Sequence, residues 1–282
     1  MEIRELDYAQ VLKLLPDRPV WSHKGDYGKI LLLCGSRGYT GAAALAAMGA
    51  LRSGAGLVYL GVPESIYTIE AVKLTEPVVF PLPDCEGKFA KDASTDILAM
   101  LPKMDAVLIG PGIGQSESTF HVLRTVLTNA QCPAVVDADG INLLSGHMDI
   151  VRGRRFPTIL TPHDGEFARL AGSPGDDRIA AAKALSDRMQ AVVLLKGHRT
   201  VIVSGDTCYV NCTGNPGMAV GGSGDVLSGI IVSLLGQGLS GLEAAACAAW
   251  LHGAAGDLCA KEIGQYGMLP SDILKALPRL MK

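Results

Sequence analysis

Lys29-Ile30-Leu31-Leu32-Leu33-Cys34-Gly35-Ser36 decides the fold. After one lysine the run is wholly apolar and then stops at Gly-Ser, the pattern of a short strand buried on both faces. A helix follows over 41–53, rich in alanine and so able to pack closely, with Thr40 placed to cap it. Leu57-Val58-Tyr59-Leu60-Gly61 is then a second strand, with a helical stretch from Glu64.

The alternation continues outward. Strands are expected at 105–109, 134–137, 158–161 and 191–196, with helical stretches at 118–129, 141–144, 165–171 and 178–189. Residues 200–203 and 207–210, separated by Ser204-Gly205-Asp206, read as a hairpin. Helices over 225–235 and 242–259 follow. Strand, loop, helix, repeated, implies an α/β fold of three layers, a mostly parallel central sheet with helices on both faces. Ligands in such sheets lie beyond the C-terminal strand ends. The loops there, 35–40, 110–114, 137–139, 161–164 and 196–200, are polar or glycine-rich and are expected to share one cleft.

Asn215-Pro216-Gly217-Met218-Ala219-Val220-Gly221-Gly222-Ser223-Gly224-Asp225-Val226-Leu227-Ser228-Gly229 carries the chemistry. A glycine-rich loop opening a helix points backbone N–H groups into one space, where the helix dipole favours a phosphate. A carboxylate at Asp225 does not help to hold that anion. It makes sense as a base taking a proton from a group about to meet the phosphate, so the pair suggests phosphoryl transfer. Gly35-Ser36-Arg37-Gly38 lacks the G-x-G-x-x-G spacing of a dinucleotide fingerprint, and that reading is rejected.

The 282 residues are 48% hydrophobic with 34 glycines and 5% aromatics, suited to buried strands, small-residue helix packing and tight turns. No linker divides them, so one large core is expected. The proline-containing stretch 77–92 reads as a surface excursion. A net charge of −3 gives no electrostatic case for nucleic acid. Seven scattered cysteines without a C-x-x-C pair give no zinc pattern, and reduced, mostly buried thiols are expected. The charged start Met1-Glu2-Ile3-Arg4-Glu5-Leu6-Asp7 is not a signal peptide, and no apolar stretch is long enough to span a bilayer. A cytoplasmic soluble protein is expected.

Six motifs in order resemble the NAD(P)H-hydrate dehydratases of the ribokinase-like fold. They are Lys24-Gly25-Asp26-Tyr27-Gly28-Lys29, Gly110-Pro111-Gly112-Ile113-Gly114, Asp137-Ala138-Asp139, Leu160-Thr161-Pro162-His163, Leu195-Lys196-Gly197-His198-Arg199-Thr200 and the 215–229 run. The resemblance runs from about Lys24 to the end. It implies a ribokinase-like domain over 24–282 without a separate lid domain, and an N-terminal extension over 1–23. It also implies a repair enzyme that returns hydrated NADH and NADPH (NADHX and NADPHX) to NADH and NADPH. The ring hydroxyl is phosphorylated by ADP, or by ATP in eukaryotic members. Phosphate is then eliminated, leaving AMP when ADP is the donor. Magnesium with the nucleotide, a homo-oligomer and a separate NAD(P)H-hydrate epimerase are further implications, since some twenty residues before Lys24 are too few for a fused epimerase domain.

The resemblance also assigns roles, each with a plainer competitor. Asp225 is the catalytic base, against a carboxylate that merely stabilises a helix start. Gly222, Ser223 and Gly224 are the anion hole, against a tight turn. Lys196, Gly197, His198, Arg199 and Thr200, with Gly224, bind the nucleotide, against a polar turn; the Lys196 ammonium is expected at the cleft edge, and His198 by itself reads as a surface residue. His163 contacts the hydrated nicotinamide. Asp164 stands where the family commonly has proline, which predicts a less rigid loop, while Glu166 is expected to cap the next helix. Ala42, Ala43 and Gly112 form the substrate-contact stretch, against simple helix-on-sheet packing. For Asp137 and Asp139, orienting substrate and binding magnesium beside the phosphates both stay open, and Asn142 has the same standing. A small-molecule kinase acting on a thiazole or pyrimidine alcohol, and a non-catalytic nucleotide sensor, are the alternatives. An intact Asp225 speaks against the sensor.

Overall fold

The computed structural model describes residues 2–281. In chain order the elements are β1 (Glu2–Arg4), α1 (Tyr8–Leu14), β2 (Lys29–Leu33), α2 (Thr40–Arg52), β3 (Leu57–Pro63), α3 (Glu64–Lys73), β4 (Val78–Leu82), β5 (Asp84–Cys85), β6 (Lys88–Phe89), α4 (Ala93–Met100), β7 (Ala106–Ile109) and α5 (Glu117–Asn129). There follow β8 (Ala134–Val136), α6 (Asp139–Leu143), α7 (Asp149–Arg152), β9 (Thr158–Leu160), α8 (Asp164–Ala171), α9 (Arg178–Met189), β10 (Val192–Leu195), β11 (Val201–Ser204), β12 (Thr207–Val210), α10 (Ser223–Gly236), α11 (Gly241–Glu262) and α12 (Pro270–Ala276).

Ten strands form one sheet in the order β1-β12-β11-β10-β9-β8-β7-β2-β3-β4, and β11 alone runs against its neighbours. From β2 the chain first winds outward through β3 and β4. It then returns to β7 on the other side of β2 and winds away through β8, β9 and β10. The strand order therefore reverses between β2 and β7, where a crevice opens at the C-terminal strand ends. The two loops bordering it are tied together: the Gly35 N–H donates to Pro111 O at 2.8 Å, and Ser36 Oγ donates to Gly112 O at 2.6 Å.

The β2 run behaves as its composition dictates. Ile30, Leu32 and Cys34 enter one apolar layer with α2, α10 and α11, while Leu31 and Leu33 enter the opposite layer with α4, α5 and α9. Alternate side chains on a pleated strand face opposite sides, so two cores share one sheet. Against the first layer, α2 and α10 cross with almost no side chain between them. A Cβ on Gly49 would lie 2.6 Å from Val226 O, and one on Gly229 would lie 2.2 Å from Ala46 O. This crossing fixes the helix that carries the anion loop against the helix that opens at the crevice.

Two expectations need correction. Thr40 does not cap α2: the cap is Tyr39, without a side-chain hydrogen bond, and Thr40 Oγ1 instead accepts from Lys73 Nζ at 2.7 Å. The stretch 77–92 is no mere excursion, because it contains β4, paired in parallel with β3, and the β5–β6 hairpin. Pro81 concealed the strand, yet proline is tolerated on an edge strand, whose outer side needs no ladder donor. The segment before Lys24 is woven into the domain. Its β1 pairs with β12, Val11 is fully buried, and Tyr8 stacks on Trp250 at 5.6 Å. The outermost residues of the expected boundaries, Met1 and Lys282, lie outside the described residues.

No helix among the described residues is long and apolar enough to cross a membrane. Five of the seven thiols are buried, while Cys85 and Cys212 are exposed, and all seven are free.

Candidate active site

Helix α10 opens at the crevice. Gly222, its N-cap, has φ +95°, a left-handed conformation that favours glycine. Ser223 and Gly224 begin the first turn, and Asp225 sits third in the helix. None of the described residues donates a hydrogen bond to its carboxylate. Burial pushes its pKa up to about 7, with the nearby Asp137 charge adding to the effect, Lys196 opposing it, and Asp139 and Glu166 contributing further. A carboxylic acid poised near neutrality is suited to accept a proton during turnover.

Asp137, at the end of β8, has the opposite environment. It is 1% exposed, and Oδ1 accepts from Lys196 Nζ at 2.8 Å and Thr161 Oγ1 at 2.7 Å, while Oδ2 accepts from Ser228 Oγ. Burial disfavours its charge, but Lys196 and the two hydroxyls outweigh that and hold its pKa below the usual carboxylate value. Two aspartates facing one space are thus driven apart: Asp137 stays ionised and Asp225 shares its proton with the solvent near pH 7. Ser228 stands one turn beyond Gly224 on α10, and its hydroxyl lies within hydrogen-bond distance of both Asp137 Oδ2 and Gly224 O.

Lys196, expected at the cleft edge, turns inward. Its side chain is only 18% exposed and lies 3.7 Å from Glu166 Oε2 as well as against Asp137. Although burial disfavours the ammonium, Asp137 and Glu166 raise its pKa, so it remains a cation. A Cβ on Gly224 would come within 3.4 Å of Lys196 Nζ, which puts the charge beside the anion loop. Gly197 and Thr200 close a turn after β10 through Thr200 Oγ1 donating to Gly197 O at 2.9 Å. His198 is exposed, and Arg199, also exposed, pairs with Glu5 at 3.0 Å.

His163 caps α8. Its Nδ1 accepts from the Gly165 and Glu166 N–H groups at 3.0 and 3.3 Å, which leaves Nε2 as the donor, 3.4 Å from Glu166 Oε1. The side chain is 54% exposed, available to a ligand. Glu166 does cap the helix, accepting from His163 N–H at 2.9 Å, and also joins the charge cluster. Asp164 gives the loop a partner of its own. That carboxylate pairs with Arg178, which also donates to Lys196 O at 2.9 Å, tying 161–166 to 195–197.

The remaining candidates divide. Gly112, with φ +64°, packs under Tyr39 and Ala42 at the crevice: an added Cβ would meet theirs at 2.9 and 3.0 Å. Ala42 is partly exposed, but Ala43 is fully buried beneath Gly35 and belongs to the core. Asp139 accepts from the Gly114 N–H at 2.9 Å and from Gln115 Nε2 at 3.1 Å, bracing the 110–115 loop. Asn142 accepts from Arg169 at 2.8 Å, a contact that joins α6 to α8 and not to the Asp225 cluster. Thr161 lay in a quoted motif without a role of its own, and the sequence reading assigned none to Ser228, His252 or Asp257. Only Ser228 had a sequence signal, its four-residue spacing from Gly224.

Among the described residues no group of three or more His, Cys, Asp and Glu side chains is placed to hold a metal ion. With the Asp137 oxygens already engaged by an ammonium and two hydroxyls, magnesium fits here as a companion of nucleotide phosphates, not as a resident ion.

A family model described as NAD(P)H-hydrate dehydratase matches residues 30–279. The chain is 46% identical to the bifunctional NAD(P)H-hydrate repair enzyme Nnr of Moorella thermoacetica, over 99% of this chain and 54% of that protein. It is 37% identical to the ADP-dependent (S)-NAD(P)H-hydrate dehydratase of Bacillus subtilis, over 95% of this chain and 94% of that one. The crystal structure of the ADP/ATP-dependent NAD(P)H-hydrate dehydratase from Bacillus subtilis, co-crystallized with ATP/Mg2+, matches with a TM-score of 0.85 at 34% identity, covering 99% of this chain and 98% of that one. The chain spans about half the length of the bifunctional relatives it matches. Its three layers are those of the ribokinase-like fold. With the family model spanning most of its length, the chain belongs to the NAD(P)H-hydrate dehydratase family.

Proposed function

We propose that this protein dehydrates NADHX and NADPHX to NADH and NADPH, driven by ADP or ATP. The observation that carries the reading is Asp225: a carboxylate with a pKa near 7, free of hydrogen-bond donors, directly behind the Gly222-Ser223-Gly224 turn. Asp225 takes the proton of the ring hydroxyl as its oxygen bonds to the terminal phosphorus of ADP. The bond from that phosphorus to the bridging oxygen breaks, and AMP leaves. Backbone N–H groups of Gly222 and Gly224 and the Ser223 hydroxyl face the charge on the transferring phosphoryl group, while the Ser223 N–H is held by Val220 O. The ring nitrogen lone pair then expels phosphate with the carbon–oxygen electron pair. A proton leaves the adjacent ring carbon, and the double bond is restored.

The other residues fit supporting roles. His163, its Nε2 beside Glu166, offers its exposed ring to the nicotinamide, with Ala42 and Gly112 forming the wall opposite. Lys196 keeps the Asp137–Glu166 cluster from repelling the incoming phosphates, and the exposed turn 197–200 meets the nucleotide. Magnesium arriving with the nucleotide supplies charge neutralisation at its phosphates. Such a protein works where NADH is used, in the cytoplasm, as a homo-oligomer and alongside an epimerase that interconverts the hydrate isomers.

The test is to mix purified protein with NADHX or NADPHX and ADP, ATP or neither, following dihydronicotinamide absorbance, AMP and phosphate. Nucleotide-dependent recovery of absorbance is expected. A stable phosphorylated product without that recovery would identify a small-molecule kinase instead, and no reaction at all would leave only nucleotide binding.

A further inference from the structure

We propose that one face of α11, built from His252, Gly253, Gly256 and Asp257, positions the anion loop, and that His252 orients the Ser223 hydroxyl toward the transferring phosphate. The proposal rests on the reading of Ser223 as part of the anion hole.

The four residues meet the loop at successive points. Asp257 accepts from the Gly214 N–H and from Asn215 Nδ2, both at 2.9 Å, while Asn215 Oδ1 accepts from the Gly217 N–H at 3.0 Å. Gly253 lies against Thr213, where a Cβ would come within 2.2 Å of Oγ1, and Gly256 lies under Met218, 2.3 Å from its sulfur by the same measure. His252, 7% exposed, completes the row with Nε2 3.3 Å from Ser223 Oγ. Spacings of one, four and five residues put all four on one face of the helix. The loop is therefore held at 213, 214–215, 218 and 223 by a single rigid element.

His252 has a directional task. Burial depresses its pKa to about 4, so the ring is neutral near pH 7 and does not relay protons there. A neutral imidazole can meet a serine in two ways. With the proton on Nδ1, Nε2 would take the serine proton and leave only lone pairs facing an anion. With the proton on Nε2, the ring donates to Oγ and the serine keeps its own proton for the phosphate. Anion binding selects the second arrangement, which makes His252 a positioning residue. Its ring also hydrogen-bonds the Ser223 backbone, and it makes no hydrogen bond with Asp225.

The test uses the full chain with H252A, H252N, H252Q, S223A and the H252A/S223A double variant. It measures kcat and KM with NADHX and ADP, ADP affinity by calorimetry, and thermal midpoints. H252A and S223A are each expected to lower kcat about 10- to 100-fold while ADP affinity moves less than about threefold. The double variant should be no slower than S223A by more than about twofold, because both changes remove one interaction. H252Q, with an N–H near the Nε2 position, should recover most of the rate; H252N, which stops short of Ser223, should not. H252N/S223A gives the same cycle if H252A does not fold. Losses that multiply in the double variant, or a Gln variant no better than Asn at equal thermal midpoint, would overturn the proposal alone. An unaltered protein without ADP-dependent turnover would instead overturn the functional reading beneath it.

Discussion

Lys196 Nζ lies 2.8 Å from Asp137 Oδ1, a contact that spans the end of β9 from β10 to β8 at the crevice. This contact decides how the carboxylates of the site divide their work. It keeps Asp137 charged and its oxygens occupied, so Asp137 is an electrostatic neighbour of Asp225 and not a second open base. Because Lys196 also reaches toward Glu166, a single ammonium offsets a cluster that would otherwise repel a nucleotide.

The first prediction concerns the pH–rate profile. Asp225 accepts a proton only when ionised, so kcat/KM should rise with pH through about 7. Asp137→Asn removes a like charge and should move that limb to lower pH. Lys196→Met removes the opposing charge and should move it higher. Limbs unchanged in both variants would show that another group controls the rate.

Asp225→Asn should abolish measurable turnover while ADP affinity, read by calorimetry, stays within a few-fold of normal. The same variant has a stability signature. The folded-state pKa of about 7 lies above the ordinary 3.8, so the unfolded chain releases this proton first. The resulting destabilisation is absent below 3.8, grows as pH rises toward 7 and is full above it. Asparagine should therefore stabilise the fold at about pH 8, by at most about 4 kcal/mol and less where solvent reaches the carboxylate, raising the thermal midpoint there and leaving it unchanged in acid. An equal change at both pH values would contradict this.

Gly229→Ala should cost about 1–3 kcal/mol, since its methyl group would press on Ala46 O where α2 and α10 cross. Urea unfolding measures this. The variant should also lose activity, because α10 cannot shift without moving Ser223 and Asp225. Full stability would mean that the helices part without strain.

Val11→Asp tests whether the first residues belong to the domain. Val11 is fully buried between α1 and the first apolar layer, so an unpaired carboxylate there should destabilise the fold by about 3 kcal/mol or more. A variant as stable as the original would show that the segment is a dispensable extension.

Much of the architecture was legible because local physics dictates it. The uninterrupted β2 run had to lie between two helical layers, and the glycine–serine turn before Asp225 had to open a helix. Harder to see were β4, hidden by Pro81 at a sheet edge, and β1, which is only three residues long. The segment before Lys24 carries a weak pattern whose packing on α11 depends on residues more than two hundred positions away. Ala43 and Lys196 illustrate the limit at the site. An alanine and a lysine look alike whether they face a ligand or the interior, and here both turn inward.

By itself the sequence determined the layers, the crevice loops and a carboxylate beside a glycine-rich turn, because these depend on periodicity, chain punctuation and nearest neighbours. Only the tertiary structure decided which carboxylate holds its charge and which stands near neutrality. Asp137 and Asp225 are 88 residues apart, and their difference comes from burial, Lys196, Thr161 and Ser228 arriving from separate elements. His252 acquires its place beside Ser223 in the same way. Electrostatic environment depends on distance in space, which a linear order of residues does not record.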